Sequence, residues 1–568
     1  MTRKAGRHRF RVFLVFLLGC LVAGTPLRAQ NSSFLSQLEQ WGTQEVVIRS
    51  GHVYGNPFKE VDFECRFRSA DKEVLVTGFY DGNQTWKVRL MPETQGGWVF
   101  ETVSNDPELN GKTGSFQVGK PEPGNHGPVR VRGKYHFAYA DGTPYFLLGT
   151  TGYSWLQENA RVERTWLKTF SENQFNKIRF MLFPFSFRRM ENRQYPFRQT
   201  SPGKFDTERF DPEYFQHYEE GIRNLQKLGI EADIILFMPY DRVTGLMSMD
   251  IAHDEALMKY VVARFSAFRN VWWTITNEFD LFPVQKEWQR LGELVEKTDT
   301  SKHLRGIHNC CIGFYDNSQS WITHVILQNI TLQRLASAPR NDAWLELDAR
   351  RIGKPVVTDE YGYEGNFPFT WGSFSPRDIS EMHWSITMAG AYGSHGESYT
   401  YAAPGEFIGE SPARLGFLKQ IMTEAPYQEM EPAPEVVARN GNVLVTVLAK
   451  RGSYYLMHFA PPRELSDWNW GFFGPGTPLH PIPLGDRRST LAFEPRPLPQ
   501  FNIGEGTFRV DVIDTWNMKV HFLGYTTGPV QQFQSNITPG VVRLVKVARP
   551  EAGAPSGDVS ALMTRPLN

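Results

Sequence analysis

The spacing of hydrophobic and polar positions changes three times along the chain. Between about residues 38 and 120, apolar and polar residues alternate in short runs such as Val61–Arg68, and turn residues such as Asp81 and Gly82 separate the runs. Alternation with a period of two is typical of strands that bury one face. Residues 38–120 are therefore predicted to form a β-sandwich of five or six strands.

From about residue 130, strand-like apolar runs alternate with amphipathic helical stretches. One helix is well marked, because Asp211 can cap it, Pro212 suits its first position, and apolar residues recur on one face from Phe215 to Leu225. This alternation predicts a (β/α)8 barrel over residues 130–425. The eight predicted strands lie near Tyr145–Thr150, Lys177–Phe183, Glu231–Met238, Val271–Thr276, Leu304–His308, Thr323–Gln328, Pro355–Asp359 and Ala389–Gly393.

Two intervals between these strands are irregular. The long one between the second and third strands predicts an inserted loop at Pro184–Asp206, and the short one between the fifth and sixth leaves little room for a full helix. After about Thr423 the helical period ends, and short strands with turns such as Arg439–Asn442 return. Residues 433–548 are predicted to form a second β-sandwich, and the polar, proline- and glycine-containing residues 549–568 a disordered tail. The predicted fold is multidomain, with a central TIM barrel between two β-sandwich domains.

Composition narrows the possible partners. Lys plus Arg and Asp plus Glu both number 61, so the net charge is zero, which argues against a nucleic-acid or anionic-membrane binder. Aromatic residues make up 14% of the chain; a large core explains part of this excess, and rings that stack on sugars would explain the rest. Cys65, Cys310 and Cys311, two of them adjacent, do not form a disulfide framework. No zinc or nucleotide-binding motif occurs.

The N-terminus has the character of a secretory signal. Basic residues between Arg3 and Arg11 precede the apolar run Val12–Ala23, and Leu27–Ala29 offers a cleavage site. We predict a signal peptide at residues 1–29 and a secreted or periplasmic protein. Lipoprotein anchoring through Cys20 is the weaker alternative, because it would leave only a short apolar core. No later run is long and apolar enough to predict a membrane span.

Two predicted barrel strands end in acidic residues. Val271–Thr276 leads into Asn277 and Glu278, and the seventh strand ends in Asp359 and Glu360. A carboxylate at the end of a buried strand is costly unless it is paired or catalytic, and catalytic residues of barrels lie at the C-terminal strand ends. The 82 residues from Glu278 to Glu360 span about three βα units, which places the two acids across the barrel mouth. Facing carboxyl groups are what cleavage of a glycosidic bond requires.

These motifs resemble a known signature. Asn-Glu after the fourth strand and Glu-Tyr-Gly after the seventh resemble clan A retaining glycoside hydrolases. The domain order resembles secreted bacterial glycosidases with apiosidase-like or cellulase-like barrels, an N-terminal immunoglobulin-like module and a C-terminal β-sandwich. Gly78–Lys87 and Val512–Asn517 resemble hallmark strings of those two modules.

The resemblance implies a retaining glycoside hydrolase that acts on a poly- or oligosaccharide without a cofactor or metal. Glu278 would be the general acid/base and Glu360 the nucleophile. Asn277 would hold the sugar 2-hydroxyl, Arg179 would support the nucleophile, and Tyr361 would lie beside it. A non-catalytic carbohydrate-binding protein and a transglycosidase remain the alternatives on the same barrel.

Other residues at strand ends are weaker candidates for sugar contacts. They are Trp155, His308, Gln328, His395 and Glu397. Each is also explained by a purely structural role, as is Arg179 by a core ion pair. Asp359 competes with Glu360 as the nucleophile, because successive residues of a strand point to opposite faces. The sequence carries no prediction of the oligomeric state.

Overall fold

A computed structural model describes residues 37–185, 194–241, 243–310, 313–329, 344–367, 370–401, 404–439, 444–460, 498–533, 535 and 540–564. The predicted signal peptide with Cys20, and also Cys311, lie outside these residues. So do residues 186–193 of the predicted inserted loop and residues 440–443 of the predicted turn.

The centre of the protein is a ring of eight parallel strands. In chain order they are β1 (Leu148–Thr151), β2 (Lys177–Met181), β3 (Glu231–Phe237), β4 (Val271–Thr276), β5 (Arg305–Gly306), β6 (Val325–Gln328), β7 (Val356–Glu360) and β8 (Tyr392–His395). Each strand pairs with its neighbours in the chain except β5 with β6, and β8 pairs with β1. Between β5 and β6, an isolated parallel bridge joins His308, just after β5, to Ile326 of β6. The predicted TIM barrel is confirmed.

Helices follow most of the strands. In the described residues they are α1 (Ala160–Glu172), α2 (Pro212–Lys227), α3 (Ile251–Phe265), α4 (Trp288–Thr298), α5 (Trp344–Ala349), α6 (Pro376–Met388) and α7 (Ser411–Glu424). Helix α2 begins as predicted, because the side chain of Asp211 accepts a hydrogen bond from the backbone N–H of Glu213. The described residues between β5 and β6 contain no helix. None of the helices that the structure describes is long and apolar enough to span a bilayer.

Two segments differ from their predicted form for local reasons. The eighth strand begins at Tyr392 rather than Ala389, because α6 continues to Met388 and its C-terminal turn uses Gly390. Gly390 adopts a φ of +72°, a left-handed conformation that glycine adopts without strain. The insertion between β2 and α2 carries a two-stranded hairpin, Phe197–Ser201 with Lys204–Phe210.

Two facing sheets form the N-terminal domain. One contains Gln37–Glu39, Thr113–Gly119, Gly96–Ser104, Phe63–Arg68 and Glu73–Thr77, and the other contains Gln44–Arg49, Thr85–Leu90 and Phe79–Tyr80. Buried ion pairs attach this domain to the barrel helices. Arg264 of α3 lies 2.7 Å from Asp81, and Arg89 lies 2.7 Å from Glu219 of α2. Removing one partner of such a pair leaves an uncompensated buried charge, so we expect this domain to brace the barrel.

The C-terminal domain also consists of two sheets. One contains Glu431–Pro432, Leu444–Lys450, Tyr454–Ala460, Gly540–Val547, Thr507–Asp514 and Lys519–Thr527, and the other contains Val437–Arg439, Gln500–Asn502 and Val530–Gln532. Trp384 and Met388 of α6 share one apolar cluster with Leu448, Leu456 and Val541 of the larger sheet. The two flanking sandwiches predicted around the barrel are confirmed.

A third, smaller sheet lies at the opposite end of the barrel from the strand C-termini. It contains Val129–Arg132, His136–Tyr139 and Pro144–Tyr145. The ring of Phe137 lies 5.2 Å from that of Trp272, at the start of β4, and 5.3 Å from that of Tyr392, at the start of β8. These contacts cover the N-terminal end of the barrel.

The predicted disordered tail requires a correction. Within the described residues 549–564, Val559–Met563 is a short helix, and Val559 and Leu562 are buried in the C-terminal sandwich. The backbone N–H of Val559 donates to the side chain of Gln531 at 3.1 Å. The apolar side chains of Val559, Leu562 and Met563 therefore pack this segment against the C-terminal sandwich.

Candidate active site

Glu278 lies at an abrupt turn after β4. The backbone of Glu278 adopts φ 43° and ψ 57°, a left-handed conformation that is costly for a residue with a side chain. The backbone N–H of Asn277 donates to the carbonyl of Phe237 at 2.9 Å, and that of Glu278 donates to Nδ1 of His308 at 3.3 Å. Neighbouring strands therefore hold a turn that points Glu278 into the cleft.

The end of β7 contains a β-bulge that sets the direction of two acids. Leu327 of β6 pairs with Thr358, but the next residue, Gln328, pairs with Glu360. Because the register skips Asp359, the usual alternation of side chains is broken at this point. Glu360 borders the cleft, whereas Asp359 lies deeper in the barrel and is only 1% exposed.

Both predicted catalytic residues line one cavity at the C-terminal face of the barrel. Its volume is about 300 Å³, and its other lining residues include Tyr153, Met181, Phe185, Tyr240, Asn277, Cys310, Gln328, Tyr363, Trp371 and Tyr401. Since one water molecule occupies about 30 Å³ in the liquid, this volume holds about ten water-sized groups. The cavity is therefore of the order of one sugar ring.

Arg179 of β2 lies beneath this cavity and connects the two catalytic strands. Its Nη1 lies 3.1 Å from Oε1 of Glu360, and its Nη2 donates to Oδ1 of Asn277 at 2.6 Å. Its Nε lies 3.6 Å from Oδ2 of Asp359. Arg179 thus contacts the predicted nucleophile and is also a member of a core ion-pair network.

Below Arg179, the ion-pair network continues with Lys177 and two aspartates. Nζ of Lys177 lies 2.7 Å from Asp233 and 2.8 Å from Asp359, and the hydroxyl of Ser394 donates to Asp359 at 2.5 Å. Burial by itself raises the pKa of Asp359, but Lys177 and Arg179 lower it by more, so the pKa lies below its ordinary value. Asp359 is an ionised structural partner of two basic residues.

Glu360 has a different set of partners. The Tyr153 hydroxyl donates to Oε1 of Glu360, and it also lies 2.7 Å from the hydroxyl of Tyr363. Burial raises the pKa of Glu360 above its ordinary value, against the lowering effects of Arg179 and the Tyr153 hydrogen bond. Burial and the Glu360 charge raise the pKa of Tyr153 well above its ordinary value, so Tyr153 keeps its proton and acts as a donor.

His308 and Gln328 lie next to both catalytic acids. His308 is fully buried, and its Nε2 lies 3.9 Å from Oε1 of Glu360. Burial, assisted by Arg179, lowers the pKa of His308 well below its ordinary value, so the ring is neutral. The amide of Gln328 satisfies its surroundings when its nitrogen faces Oε1 of Glu278 at 2.9 Å and the carbonyl of Asn309 at 3.2 Å. His308 thus contacts the backbone of Glu278 and lies near Glu360, and Gln328 is part of the cavity wall.

Two predicted sugar contacts lie away from the cavity. The hydroxyl of Tyr361 is 2.7 Å from Nδ1 of His383 on α6, and its side chain is fully buried. Trp155 is 1% exposed and packs edge-on against Phe170 of α1. After the bulge, alternation directs Tyr361 outward from the barrel, and the turn after β1 directs Trp155 toward α1. We therefore correct both predictions to structural roles.

His395 and Glu397 also lie outside the cavity that Glu278 and Glu360 line. Nδ1 of His395 lies 3.0 Å from the hydroxyl of Thr150. Glu397 accepts hydrogen bonds from the backbone N–H groups of Ile408 and Gly409 at 3.0 and 3.1 Å. These two residues connect β8 to the loop before α7, and the prediction that they bind sugar at the catalytic centre is not supported by their placement.

An aromatic wall was not predicted from the sequence. It consists of Tyr153, Tyr363, Trp371 and Tyr401. The ring centroids of Trp371 and Tyr401 are 6.0 Å apart at an interplanar angle of 81°, and those of Tyr363 and Trp371 are 5.4 Å apart at 74°. These residues lie in the connections between strands and helices, where no hydrophobic periodicity predicts their positions. The sequence features that could have predicted the wall are the high aromatic content and the position of Tyr363 just after β7.

Residues 132–401 match the family model described as the apiosidase-like catalytic domain. Residues 37–105 match a family described as a domain of unknown function, DUF5060. Among curated proteins, no sequence matches the chain significantly.

Several solved structures share the fold. One, described as "a putative glycoside hydrolase from Bacteroides vulgatus ATCC 8482", is 29% identical with a TM-score of 0.74 and covers 90% of this chain and 100% of its own. A glycoside hydrolase family 5 structure from the same organism is 16% identical with a TM-score of 0.55, and it covers 75% of this chain and 95% of its own. The family match and the 29% identical structure confirm the predicted resemblance to glycoside hydrolases with an apiosidase-like barrel.

Proposed function

We propose that this glycoside hydrolase, whose barrel is an apiosidase-like catalytic domain, is exported and hydrolyses O-glycosidic bonds of an oligo- or polysaccharide with retention of configuration. The observation that carries the mechanism is the shared cavity: Glu278 and Glu360 end β4 and β7 and line the same space. Arg179 supports the arrangement, because it contacts Glu360 and Asn277 from below.

In the first step, Glu360 attacks the anomeric carbon while Glu278 gives its proton to the leaving oxygen. The bond to the leaving group breaks, and a glycosyl ester of Glu360 forms. Arg179 and Tyr153 orient the attacking carboxylate. Formation of the ester removes the negative charge of Glu360. The hydroxyl of Tyr153 then still has the hydroxyl of Tyr363, at 2.7 Å, as a hydrogen-bond partner.

In the second step, Glu278 removes a proton from a water molecule that attacks the same carbon. The bond to Glu360 breaks, and the sugar leaves with its original configuration. Asn277 has a fixed role in both steps. Because its Oδ1 accepts from Arg179, its Nδ2 faces Tyr240 in the cavity wall at 3.4 Å, where it can donate to a sugar hydroxyl.

The test begins with a panel of aryl glycosides that includes apiosides, followed by plant and algal polysaccharides. On a responsive substrate, Glu360→Ala should abolish turnover, and Glu278→Ala should lose less activity when the leaving group is acidic. Azide should rescue Glu278→Ala and give a glycosyl azide of retained configuration. An unchanged rate in Glu360→Ala would rule out the assignment. Product analysis with acceptor sugars separates hydrolysis from transglycosylation.

Export is tested separately from catalysis. The chain should be expressed in a bacterial host with residues 1–29 present, and the mature protein should be analysed by mass spectrometry. We expect an N-terminus at Gln30, because the apolar run and Leu27–Ala29 suit a signal peptidase. An uncleaved chain in the cytoplasm, or a lipid attached to Cys20, would contradict this part of the proposal.

A further inference from the structure

Three ligand-type side chains meet between the loops that follow β7 and β8. They are Glu364, His395 and Glu397, and their ligating atoms all lie within 4.8 Å of one another. Each is at most 2% exposed. A backbone bridge between Glu364 and Glu397 holds the two loops side by side.

In the part of the chain that the structure describes, only neutral groups donate hydrogen bonds to the two carboxylates. Glu364 accepts from the backbone N–H groups of Glu410 and Ser411 at 2.8 and 3.0 Å and from the Ser411 hydroxyl. Glu397 accepts from two further backbone N–H groups, which leaves about half of its lone-pair positions unused. Within the described residues, no lysine or arginine lies within 4.0 Å of either acid, in contrast to Asp359 with its partner Lys177. Buried carboxylates normally require such compensation.

The imidazole of His395 adds an unused ligand atom. Its Nδ1 lies 3.0 Å from the hydroxyl of Thr150. Its Nε2 is buried, has no hydrogen-bond partner among the described residues, and lies 3.9 Å from Oε1 of Glu397. If Nδ1 carries the proton and donates to Thr150, the lone pair of Nε2 is available to a cation beside Glu397.

We propose that Glu364, His395 and Glu397 bind one divalent transition-metal cation, with Zn²⁺ as the best fit, that fastens the β7 and β8 loops together. One imidazole nitrogen and two carboxylate oxygens are ligands that Zn²⁺ uses, whereas Mg²⁺ and Ca²⁺ prefer oxygen ligands alone. Glu397 also lines a small cavity of about 30 Å³, which has room for a water molecule.

The site lies behind the aromatic wall rather than at the reacting atoms. Glu364 follows Tyr363 in the chain, and Glu397 precedes Tyr401. The cation would therefore position the wall and stabilise the loops, and it would take no part in bond cleavage.

The test uses the mature full-length protein, stripped with a chelator and then titrated with ZnCl₂ at pH 7. After desalting, we expect about one zinc per chain by elemental analysis. The melting temperature should rise by about 2–5 °C when zinc is saturating, and MgCl₂ should produce no rise. Glu397→Gln and His395→Gln should each lower the zinc affinity at least about tenfold and remove most of the thermal shift.

Glu231→Gln is the matched control, because Glu231 is another buried glutamate, and its carboxylate accepts from the neutral indole N–H of Trp272 at 2.9 Å. It should keep the zinc content and the zinc-dependent shift of the wild type. A folded wild type that retains no zinc and shows no shift would overturn the proposal, as would a folded Glu397→Gln that keeps both. If the variants do not fold, X-ray absorption of the zinc-loaded wild type decides: one imidazole in the metal shell supports the site, and none overturns it.

Discussion

Two layers of acidic residues lie one above the other in the barrel, and their chemistry differs. The lower layer contains Asp233 and Asp359 around the ammonium of Lys177, at 2.7 and 2.8 Å. The upper layer contains Glu278 and Glu360, which border the cavity. Asp359 and Glu360 are adjacent in the chain, yet the first is closed in by counter-ions and the second meets the cleft. The role of each acid follows from its partners and its access to the cavity, and not from its place at a strand end.

The largest expected effect is a loss of activity when an acid of the upper layer is substituted. Glu360→Gln should lower kcat/KM by at least about 10⁴-fold, because the nucleophile is lost, while the melting temperature changes little. Steady-state kinetics and thermal unfolding of the same preparation check this. A variant that keeps more than a tenth of the activity would place the nucleophile elsewhere.

The next largest effect is a loss of stability when an acid of the lower layer is substituted. Asp359→Asn removes one of the two carboxylates around Lys177, so the free energy of unfolding should fall by about 3–5 kcal/mol. Urea unfolding measures the change. Glu360→Gln is the matched control, and the contrast between the layers fails if both substitutions destabilise the protein equally.

Arg179 contacts an acid of each layer. Its positive charge should therefore affect the pH dependence of kcat/KM. Because Arg179 lowers the pKa of Glu360, Arg179→Gln should raise that pKa. Glu360 must be ionised to attack, so the acidic limb of kcat/KM against pH should move to higher pH by about one unit or more. An unmoved acidic limb, with only a lower maximum, would show that Arg179 acts through position alone.

The smallest effect tests the direction of side chains after the bulge. Tyr361→Phe removes a hydroxyl that contacts His383 on the outside of the barrel. We expect kcat/KM to stay within about threefold of the wild type and the unfolding free energy to fall by about 1 kcal/mol. A loss of kcat/KM of more than about tenfold would return Tyr361 to the sugar site.

Much of the fold was predictable because it depends on local periodicity. The apolar runs placed all eight barrel strands, and the Asp211-Pro212 pair placed the start of α2 to the residue. The eighth strand was misplaced by three residues, because Ala389 and Gly390 belong to the end of α6. Small apolar residues fit a helix terminus as well as a strand.

The candidate site was predictable only where a motif marked it. Glu278, Glu360, Asn277 and Arg179 meet as the motifs indicated. The bulge at Asp359 could not be predicted, because it depends on pairing with β6. The aromatic wall lies on loops, and loop positions are set by tertiary contacts rather than by sequence period.

The most direct test of the account is to identify the residue that carries the glycosyl intermediate. The enzyme should be inactivated with the 2-deoxy-2-fluoro analogue of the glycoside that the substrate panel identifies, digested, and mapped by mass spectrometry. The account predicts one sugar per chain, attached to Glu360. A label on Asp359 or Glu278, or products of inverted configuration without a trapped sugar, would contradict it.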